Sequence, residues 1–160
     1  MANDSTRAPK KGGKNNFKPK KEFYEELLSL DRVTRVNSGW RQLRFRAVMT
    51  IWDGKWRVWL WTGKSWEVVD AISKSIANAK KNLMSVKIEN GTVPYEYISK
   101  YKAAKMMIHP ASKGTGIIAG WSARKVLAVA GYKDILAKRY GSANMLNNAK
   151  ATLKALKTYR

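Results

Sequence analysis

The stretch QLRFRAVMTIWDGKWRVWLWTGKS, residues 42–65, predicts two antiparallel strands joined by a turn. Its first half alternates between apolar and polar side chains, as a half-buried strand does. Asp53-Gly54 is the strongest short-range signal for a hairpin turn. A two-residue turn there pairs Trp52 with Lys55 and Ile51 with Trp56. The predicted apolar face is Leu43, Phe45, Ala47, Met49, Ile51, Val58 and Leu60, and the opposite face is Arg44, Arg46, Thr50, Arg57, Trp59 and Trp61.

The flanking segments extend this hairpin into a predicted domain over residues 22–90. The i,i+4 spacing of Phe23 and Leu27 predicts a short helix over 21–29, and the polar, turn-rich 31–41 segment predicts a loop or an irregular strand. A third strand is expected before or within that loop. A second helix is predicted over 68–86, with an inward stripe of Val69, Ile72, Ile76, Ala79, Leu83 and Val86.

Residues 91–160 predict a second domain. Residues 92–101 and 104–109 favour strands, and the Gly-rich 111–120 segment favours a loop. Helices are predicted over 119–130, 133–139 and 144–159, the last with Leu146, Ala149, Leu153 and Leu156 inward.

The charge of the chain indicates a polyanionic partner. Lys and Arg total 32 against 11 Asp and Glu, which gives a formal net charge of +21. Nucleic acid is the commonest such partner, whereas a membrane surface is disfavoured because no long apolar run occurs. Residues 1–21 are basic and rich in Gly, Pro and Asn, so we expect a disordered tail that contacts RNA.

Other function classes find little support. The chain has no Cys and only His109, so a thiolate or multi-histidine metal site is excluded, and no cofactor is expected. The visible N-terminus has no apolar signal segment, which makes the cytoplasm the expected location. The acidic residues are scattered, and no pair suggests acid–base catalysis.

The GTGIIA segment, residues 114–119, matches a dinucleotide-binding fingerprint, with Asp134 at a suitable distance. No clear parallel strand follows the predicted helix, which weighs against a cofactor. The motif still predicts an anion site, formed by glycine amides at a helix N-terminus beside Lys113. An RNA phosphate would fit such a site. TGKS, residues 62–65, lacks the upstream glycine of a phosphate loop, since Val58 stands there.

Two stretches, HPASKGTGIIAGWSARKVLAVAGYKDILAKRYGSANMLN (109–147) and WDGKWRVWLWTGKSWEV (52–68), resemble the bacterial small-subunit ribosomal protein S5 family. The resemblance extends over about 24–158. It implies an α+β fold: an N-terminal domain similar to the double-stranded-RNA-binding fold and a C-terminal βαβ-type domain with a left-handed crossover. It also implies a structural, non-enzymatic role on small-subunit rRNA near the decoding centre, where mRNA enters, with the fourth and eighth small-subunit proteins as neighbours.

The resemblance and the charge together define the candidate site. By position, the family's hinge loop falls on Thr34, Val36, Asn37, Ser38, Gly39 and Trp40, and the strand region facing the fourth protein falls on Ala103, Ala104 and Lys105. The predicted RNA-binding residues are Arg32, Arg35, Arg41, Arg44, Arg57, Lys64, Lys74, Lys80, Lys81, Ser112, Lys113, Gly114, Gly116, Arg124, Lys138 and Arg139.

The seven tryptophans allow three interpretations: stacking platforms for bases, core residues, or positions where the natural protein has glycine. Six of them stand where the family has glycine, namely Trp40, Trp52, Trp56, Trp59, Trp61 and Trp121. Six bulky side chains at glycine positions should be severely destabilising. Our hypothesis is that the gene uses UGA for glycine and that the printed sequence translates UGA as tryptophan.

The sequence thus predicts a structural rRNA-binding protein of the small subunit. Two rivals stay open at this point. One is a free-standing RNA-binding regulator, which would not co-sediment with ribosomes at high salt. The other is a nucleotide-dependent enzyme at residues 114–119, which a dinucleotide titration would detect.

Overall fold

The structure, a computed structural model, describes residues 23–159 of the 160-residue chain. The predicted basic tail, residues 1–21, lies outside the described residues. Two four-stranded sheets and three helices follow one another along the chain. The first half contains β1 (Tyr24–Asn37), β2 (Trp40–Trp52), β3 (Arg57–Ser65), α1 (Val68–Lys80) and β4 (Met84–Ser85). The second half contains β5 (Tyr97–Tyr101), β6 (Ala104–Pro110), β7 (Ile117–Ile118), α2 (Trp121–Ala130), β8 (Ile135–Gly141) and α3 (Met145–Thr158).

The first sheet is antiparallel with the strand order β1-β2-β3-β4. The middle of β2 is buried on both faces: Val48 and Thr50 are as inaccessible as Ala47 and Ile51. One face lies under α1, and the other belongs to a core shared with the second half of the chain. Alternation in the sequence predicted only one buried face, because the polar Thr50 was assigned to the solvent side.

The second sheet has the strand order β5-β6-β8-β7. Strands β7 and β8 are parallel and connected by α2, whereas the other pairs are antiparallel. A βαβ unit is therefore present, and the predicted α+β fold class is confirmed. The left-handed sense of its crossover stays a prediction.

A continuous hydrophobic core joins the two halves. Leu28, Val48 and Leu60 from the first sheet pack in the same cluster as side chains of α2 and α3. The α2 and α3 members are Ala123, Val126, Leu127, Ala130, Ala149, Ala151, Leu153, Ala155 and Leu156. The inward positions predicted for α3 are consistent with this packing, and only Leu146 is partly exposed.

Two predicted helices are strands in the structure. The helix predicted over 21–29 is wrong for its described part, residues 23–29, because β1 begins at Tyr24 and pairs along its length with β2. The pairing shifts between Leu27 and Ser29, and this bulge accompanies the burial of Leu28 in the shared core. The helix predicted over 133–139 is likewise wrong, since β8 occupies most of this range and pairs with both β6 and β7. In each case pairing with a distant strand outweighs a weak local helical pattern.

The predicted two-residue turn is also wrong. Trp52 pairs with Val58, and Asp53–Trp56 connects the strands. The register is shifted by three residues, so Trp59 and Trp61 lie opposite Ile51 and Met49 and not on the arginine face. The Asp53 side chain explains the longer turn, because Oδ1 accepts from the Lys55 and Arg57 amides at 2.9 and 3.2 Å and Oδ2 accepts from Arg57 Nε.

Helix α1 is shorter than predicted, and its buried stripe matches the prediction only in part. It ends at Lys80, and its buried residues are Ala71, Ser75 and Ala79, of which Ala79 was predicted. Ile72 and Ile76 are half-buried, and Val69 is 74% exposed. Gly63 on β3 accounts for the change. A Cβ there would overlap the Ala71 carbonyl oxygen and lie 2.7 Å from the Ser75 nitrogen. The helix therefore approaches the sheet so closely that only small side chains fit between them.

The tryptophans show mixed environments. Trp56 has a φ of 62°, which a bulky residue rarely adopts. Trp40 and Trp121 are 61% and 59% exposed. Trp52 and Trp59 are partly buried, and their Nε1 atoms have no hydrogen-bond partner. The strained φ and the unpaired indole nitrogens are features that glycine at these positions would remove.

Gly63→Ala should lower the free energy of unfolding by about 2–3 kcal/mol, because α1 must move off the sheet. Gly120→Ala is the matched control: its φ is −64° and nothing lies within 4 Å of the added methyl group. It should cost less than about 1 kcal/mol. Urea denaturation of both variants measures the difference, and equal losses would contradict the close helix–sheet contact.

Asp53→Ala should lower the free energy of unfolding by about 1–2 kcal/mol at neutral pH. Burial by itself would raise the pKa of Asp53, but hydrogen bonds from Lys55 and Arg57 outweigh it, and the pKa lies below its usual value of 3.8. A lowered pKa stabilises the fold above the usual value, and this contribution is lost as the pH falls through the lowered pKa. The difference between the two proteins in denaturation should therefore shrink in acid; a difference that does not change with pH would refute this role.

If UGA encodes glycine, the gene should carry UGA at codons 40, 52, 56, 59, 61 and 121, with codon 66 expected as well. Peptides of the native protein should then be lighter by the mass difference between tryptophan and glycine at each site. Mass spectrometry of native protein tests this directly. Intact Trp59 and Trp61 would end the hypothesis. The stacking-platform interpretation then predicts that Trp59→Ala or Trp61→Ala costs about 1–3 kcal/mol of RNA affinity.

Candidate nucleic-acid interface

The ends of β1 and β2 form a two-stranded ribbon beyond the rest of the first sheet. Strand β3 pairs with β2 only from Phe45 onward, so residues 33–36 and 41–44 pair with each other alone. We call residues 32–44 the arm. Its tip is a turn at Ser38-Gly39, where Gly39 has a φ of 75°. The predicted hinge residues Thr34 and 36–40 all lie in the arm and are all exposed. Of the two alternatives predicted for 31–41, a loop or an irregular strand, the strand is confirmed, because these residues pair in a hairpin.

Arginines extend from both faces of the arm. Cross-strand partners share a face, so Arg35, Gln42 and Arg44 lie on one side, where they line a shallow depression with Lys64. Arg32 and Arg41 line a depression on the other side. A ribbon with cations on both faces can contact phosphates on two sides at once.

Two contacts fix the base of the arm. Arg46 donates from Nε and Nη2 to Asp31 Oδ2 at 3.2 and 2.7 Å. The guanidinium of Arg44 lies 4.9 Å from the ring centroid of Trp66. Sequence reasoning missed the role of Asp31, because its pairing with Arg46 becomes visible only once β1 is known to be a strand.

The other predicted cations of the first half are exposed as well. Arg57 is held by Asp53, and Lys74 Nζ donates to Ser65 Oγ at 3.1 Å. Lys80 Nζ lies 4.5 Å from the ring centroid of Phe23. Lys81 is the C-cap residue of α1 and is also exposed.

The Gly-rich loop of the second half differs from its prediction. Ser112, Lys113 and Gly114 are exposed, but the loop precedes β7, whereas α2 begins at Trp121. The glycine amides are therefore not at a helix N-terminus. They donate instead to Asp134 Oδ1, at 3.0 Å from Gly114 and 2.9 Å from Gly116. The open anion site predicted at these amides is wrong, because a carboxylate of the same chain fills it.

The same geometry bears on the nucleotide-binding alternative. A parallel strand does follow the helix, contrary to the sequence prediction, since β8 pairs with β7. However, the fingerprint needs its glycines between the first strand and the helix, and here they come before the first strand. Asp134, the candidate ribose ligand, is already bonded to the loop. The arrangement does not support a dinucleotide site.

The remaining predicted cations lie on α2 and β8. Arg124 lines a groove with Tyr24, Trp52 and Trp121 at the junction of the two halves. Lys138 and Arg139 follow one another on β8, and Arg139 Nη1 donates to the Ala143 carbonyl oxygen at 3.4 Å. All three are exposed, on different elements from the arm.

The predicted protein interface is only partly accessible. Ala103 and Lys105 are exposed, whereas Ala104 is fully buried. The Ala104 side chain belongs to the inner face of the second sheet, so it cannot contact a partner protein. Of these three residues, Ala103 and Lys105 alone have side chains available for such a contact.

Residues 23–159 contain neither a membrane-spanning helix nor a cluster of metal ligands. No helix in that range has both the length and the apolar composition to cross a membrane. Within the same range, no group of three or more His, Asp or Glu side chains is close enough together to hold a metal ion.

Two family profiles match most of the chain. The profile described as Ribosomal protein S5, N-terminal domain, matches residues 23–87, and the profile described as Ribosomal protein S5, C-terminal domain, matches residues 99–160. Both halves of the fold are therefore accounted for by one family.

Curated relatives agree with this assignment. Small ribosomal subunit protein uS5 of Chloroflexus aurantiacus is 45% identical over 135 residues, which cover 84% of this chain and 76% of the relative. The uS5 protein of Mycoplasma mobile is 47% identical over 146 residues, covering 91% and 60% respectively. That of Dehalococcoides mccartyi is 46% identical over 139 residues, covering 87% and 81%. The chain therefore belongs to the ribosomal protein S5 family, as its resemblance at residues 52–68 and 109–147 predicted.

Proposed function

We propose that this protein is a structural, non-enzymatic constituent of the small ribosomal subunit and binds rRNA through its exposed cations. One observation carries the proposal: every Arg and Lys that the sequence predicted as an RNA contact is solvent-exposed. The relatives support it, since each is named as a small ribosomal subunit protein. The expected location is the bacterial cytoplasm, where ribosomes act.

Phosphate contact is the main source of affinity in this account. Arginine forms paired hydrogen bonds to phosphate oxygens, and the arm carries Arg32 and Arg41 on one face and Arg35 and Arg44 on the other. A narrow, two-sided ribbon suits a place where RNA segments converge, because each face meets a different backbone. Contacts of this kind position the protein without reading the base sequence.

The finer parts of the function belong to the same proposal. The arm, with hinge residues Thr34 and 36–40, contacts rRNA near the decoding centre, and the protein lines the path by which mRNA enters. The surface at Ala103 and Lys105 faces the fourth small-subunit protein and supports accuracy, with the eighth protein as a second neighbour. The division into a tail at 1–21, an RNA-binding domain at 22–90 and a C-terminal domain at 91–160 is likewise proposed.

The binding of the protein to its rRNA fragment should weaken steeply with salt, with a log–log slope steeper than about −4 if five or more phosphates are neutralised. Lys64→Ala and Lys113→Ala should each flatten this slope by about one unit. Filter binding or fluorescence anisotropy over a salt series measures the slope.

Lys87→Ala is the control, because Lys87 lies outside the predicted site and pairs with Glu89 at 2.8 Å. It should leave the slope nearly unchanged. An affinity that does not depend on salt, or a Lys87 effect as large as that of Lys113, would count against the proposed interface.

A further inference from the structure

The Ser112–Gly116 loop converges on one carboxylate oxygen. Gly114 and Gly116 have φ values of 91° and 74°, and these left-handed conformations turn their two amides toward the same point. Asp134 Oδ1 occupies that point, at 3.0 and 2.9 Å from the two nitrogens. Backbone amides that point to the same place in this way form a concavity that favours a negative charge.

Asp134 itself stands on a rigid part of the fold. It immediately precedes β8, and its own amide donates to the Gly91 carbonyl oxygen at 3.2 Å. Ile135, the next residue, donates to the Gly116 carbonyl oxygen at 3.0 Å. The carboxylate therefore connects an exposed loop to the start of β8, an inner strand of the second sheet, and the loop is anchored at Gly114 and Gly116.

The anchored glycines leave the other loop residues facing solvent. Thr115 donates from both its amide and its hydroxyl to the Ser112 carbonyl oxygen, at 3.2 and 2.8 Å. This turn brings Lys113 to the outer bend, where it is exposed. In this backbone conformation, Lys113 is presented outward.

We propose that Asp134 is a positioning residue for RNA binding, which acts by holding the Ser112–Gly116 loop in the conformation that presents Lys113 to a phosphate. The inference rests on the proposed function, because it takes Lys113 as an RNA contact. An acidic side chain beside this loop opposes RNA binding by its charge. Its presence is explained if ordering the loop in advance, which removes an entropic cost from binding, outweighs that repulsion.

The charge of Asp134 allows a clear test, because electrostatics and positioning predict opposite changes in RNA affinity when this charge is removed. Asp134→Ala removes a negative charge, so electrostatics alone predicts tighter binding to the rRNA fragment. Positioning predicts binding that is weaker by about threefold to tenfold, the cost of ordering a loop upon binding. Asp134→Asn should bind at least as tightly as the unchanged protein, since its amide oxygen can still accept from both glycines.

Glu67→Ala is the charge-matched control. Glu67 is exposed at the N-cap of α1, and its side chain makes no capping hydrogen bond. Removal of this charge should leave RNA affinity unchanged or slightly raised. Should Asp134→Ala fail to fold, Asp134→Ser takes its place, because the shorter hydroxyl cannot reach both amides.

A double-mutant cycle separates positioning from a general loss of stability. Lys113→Ala should weaken binding in the unchanged protein and have little further effect in Asp134→Ala. Amide exchange at Gly114 and Gly116 should also be at least about tenfold faster in Asp134→Ala than in Asp134→Asn.

The outcomes are distinguishable. If Lys113→Ala does not weaken binding at all, the proposed function fails at this loop, and the role of Asp134 falls with it. If Lys113→Ala weakens binding but the two effects simply add, or if Asp134→Ala binds as tightly as the unchanged protein, only the role of Asp134 is overturned.

Discussion

The apolar contact between the first sheet and helices α2 and α3 holds the two halves of the chain together. Leu28, Val48 and Leu60 pack into the same cluster as Leu127 and Leu156, so neither half has a separate, fully covered core on this side. Lys125 on α2 reinforces the contact, since Nζ lies 2.6 Å from both the Leu27 carbonyl oxygen and Glu26 Oε1. Burial of apolar surface is the dominant favourable term in folding. The shared core therefore joins the two sheets, and the arm and the Ser112–Gly116 loop extend from the same folded unit.

The acidic and basic side chains of the protein have different surroundings. Four aspartates among the described residues accept hydrogen bonds from their own chain: Asp31 from Arg46, Asp53 from its turn, Asp70 from Ser65, and Asp134 from the glycine loop. Each of these bonds orders a segment next to predicted RNA contacts. The exposed cations, by contrast, are mostly left facing solvent. The acidic residues thus shape the basic surface, and an excess of +21 is left for a polyanionic partner.

Much of this was predictable from sequence, and the exceptions have physical causes. The alternation before Asp53 located β2 correctly, and the periodicity of α3 identified its inward face. The turn length was not predictable, because it depends on where the Asp53 carboxylate finds its donors. A strand before or within residues 31–41 was expected, but the first part of β1 was predicted as a helix, because the spacing of Phe23 and Leu27 suits a helix as well as a strand with a bulge. The cations of the candidate site were predicted from charge and resemblance. Asp134 was noted only as the acidic residue of the dinucleotide fingerprint, because no side-chain pattern reveals the two backbone amides that it accepts from.

The absence of cysteine from the chain allows the central claim to be tested at single positions. Ser38→Cys at the arm tip, Ser112→Cys in the loop and Thr158→Cys at the end of α3 can each carry a tethered iron chelate into reconstituted small subunits. Hydroxyl-radical cleavage of rRNA then reports which parts of the protein lie against RNA. The account predicts strong cleavage from positions 38 and 112, at two different rRNA sites, and weaker cleavage from 158. Cleavage from 38 and 112 no stronger than from 158 would contradict it.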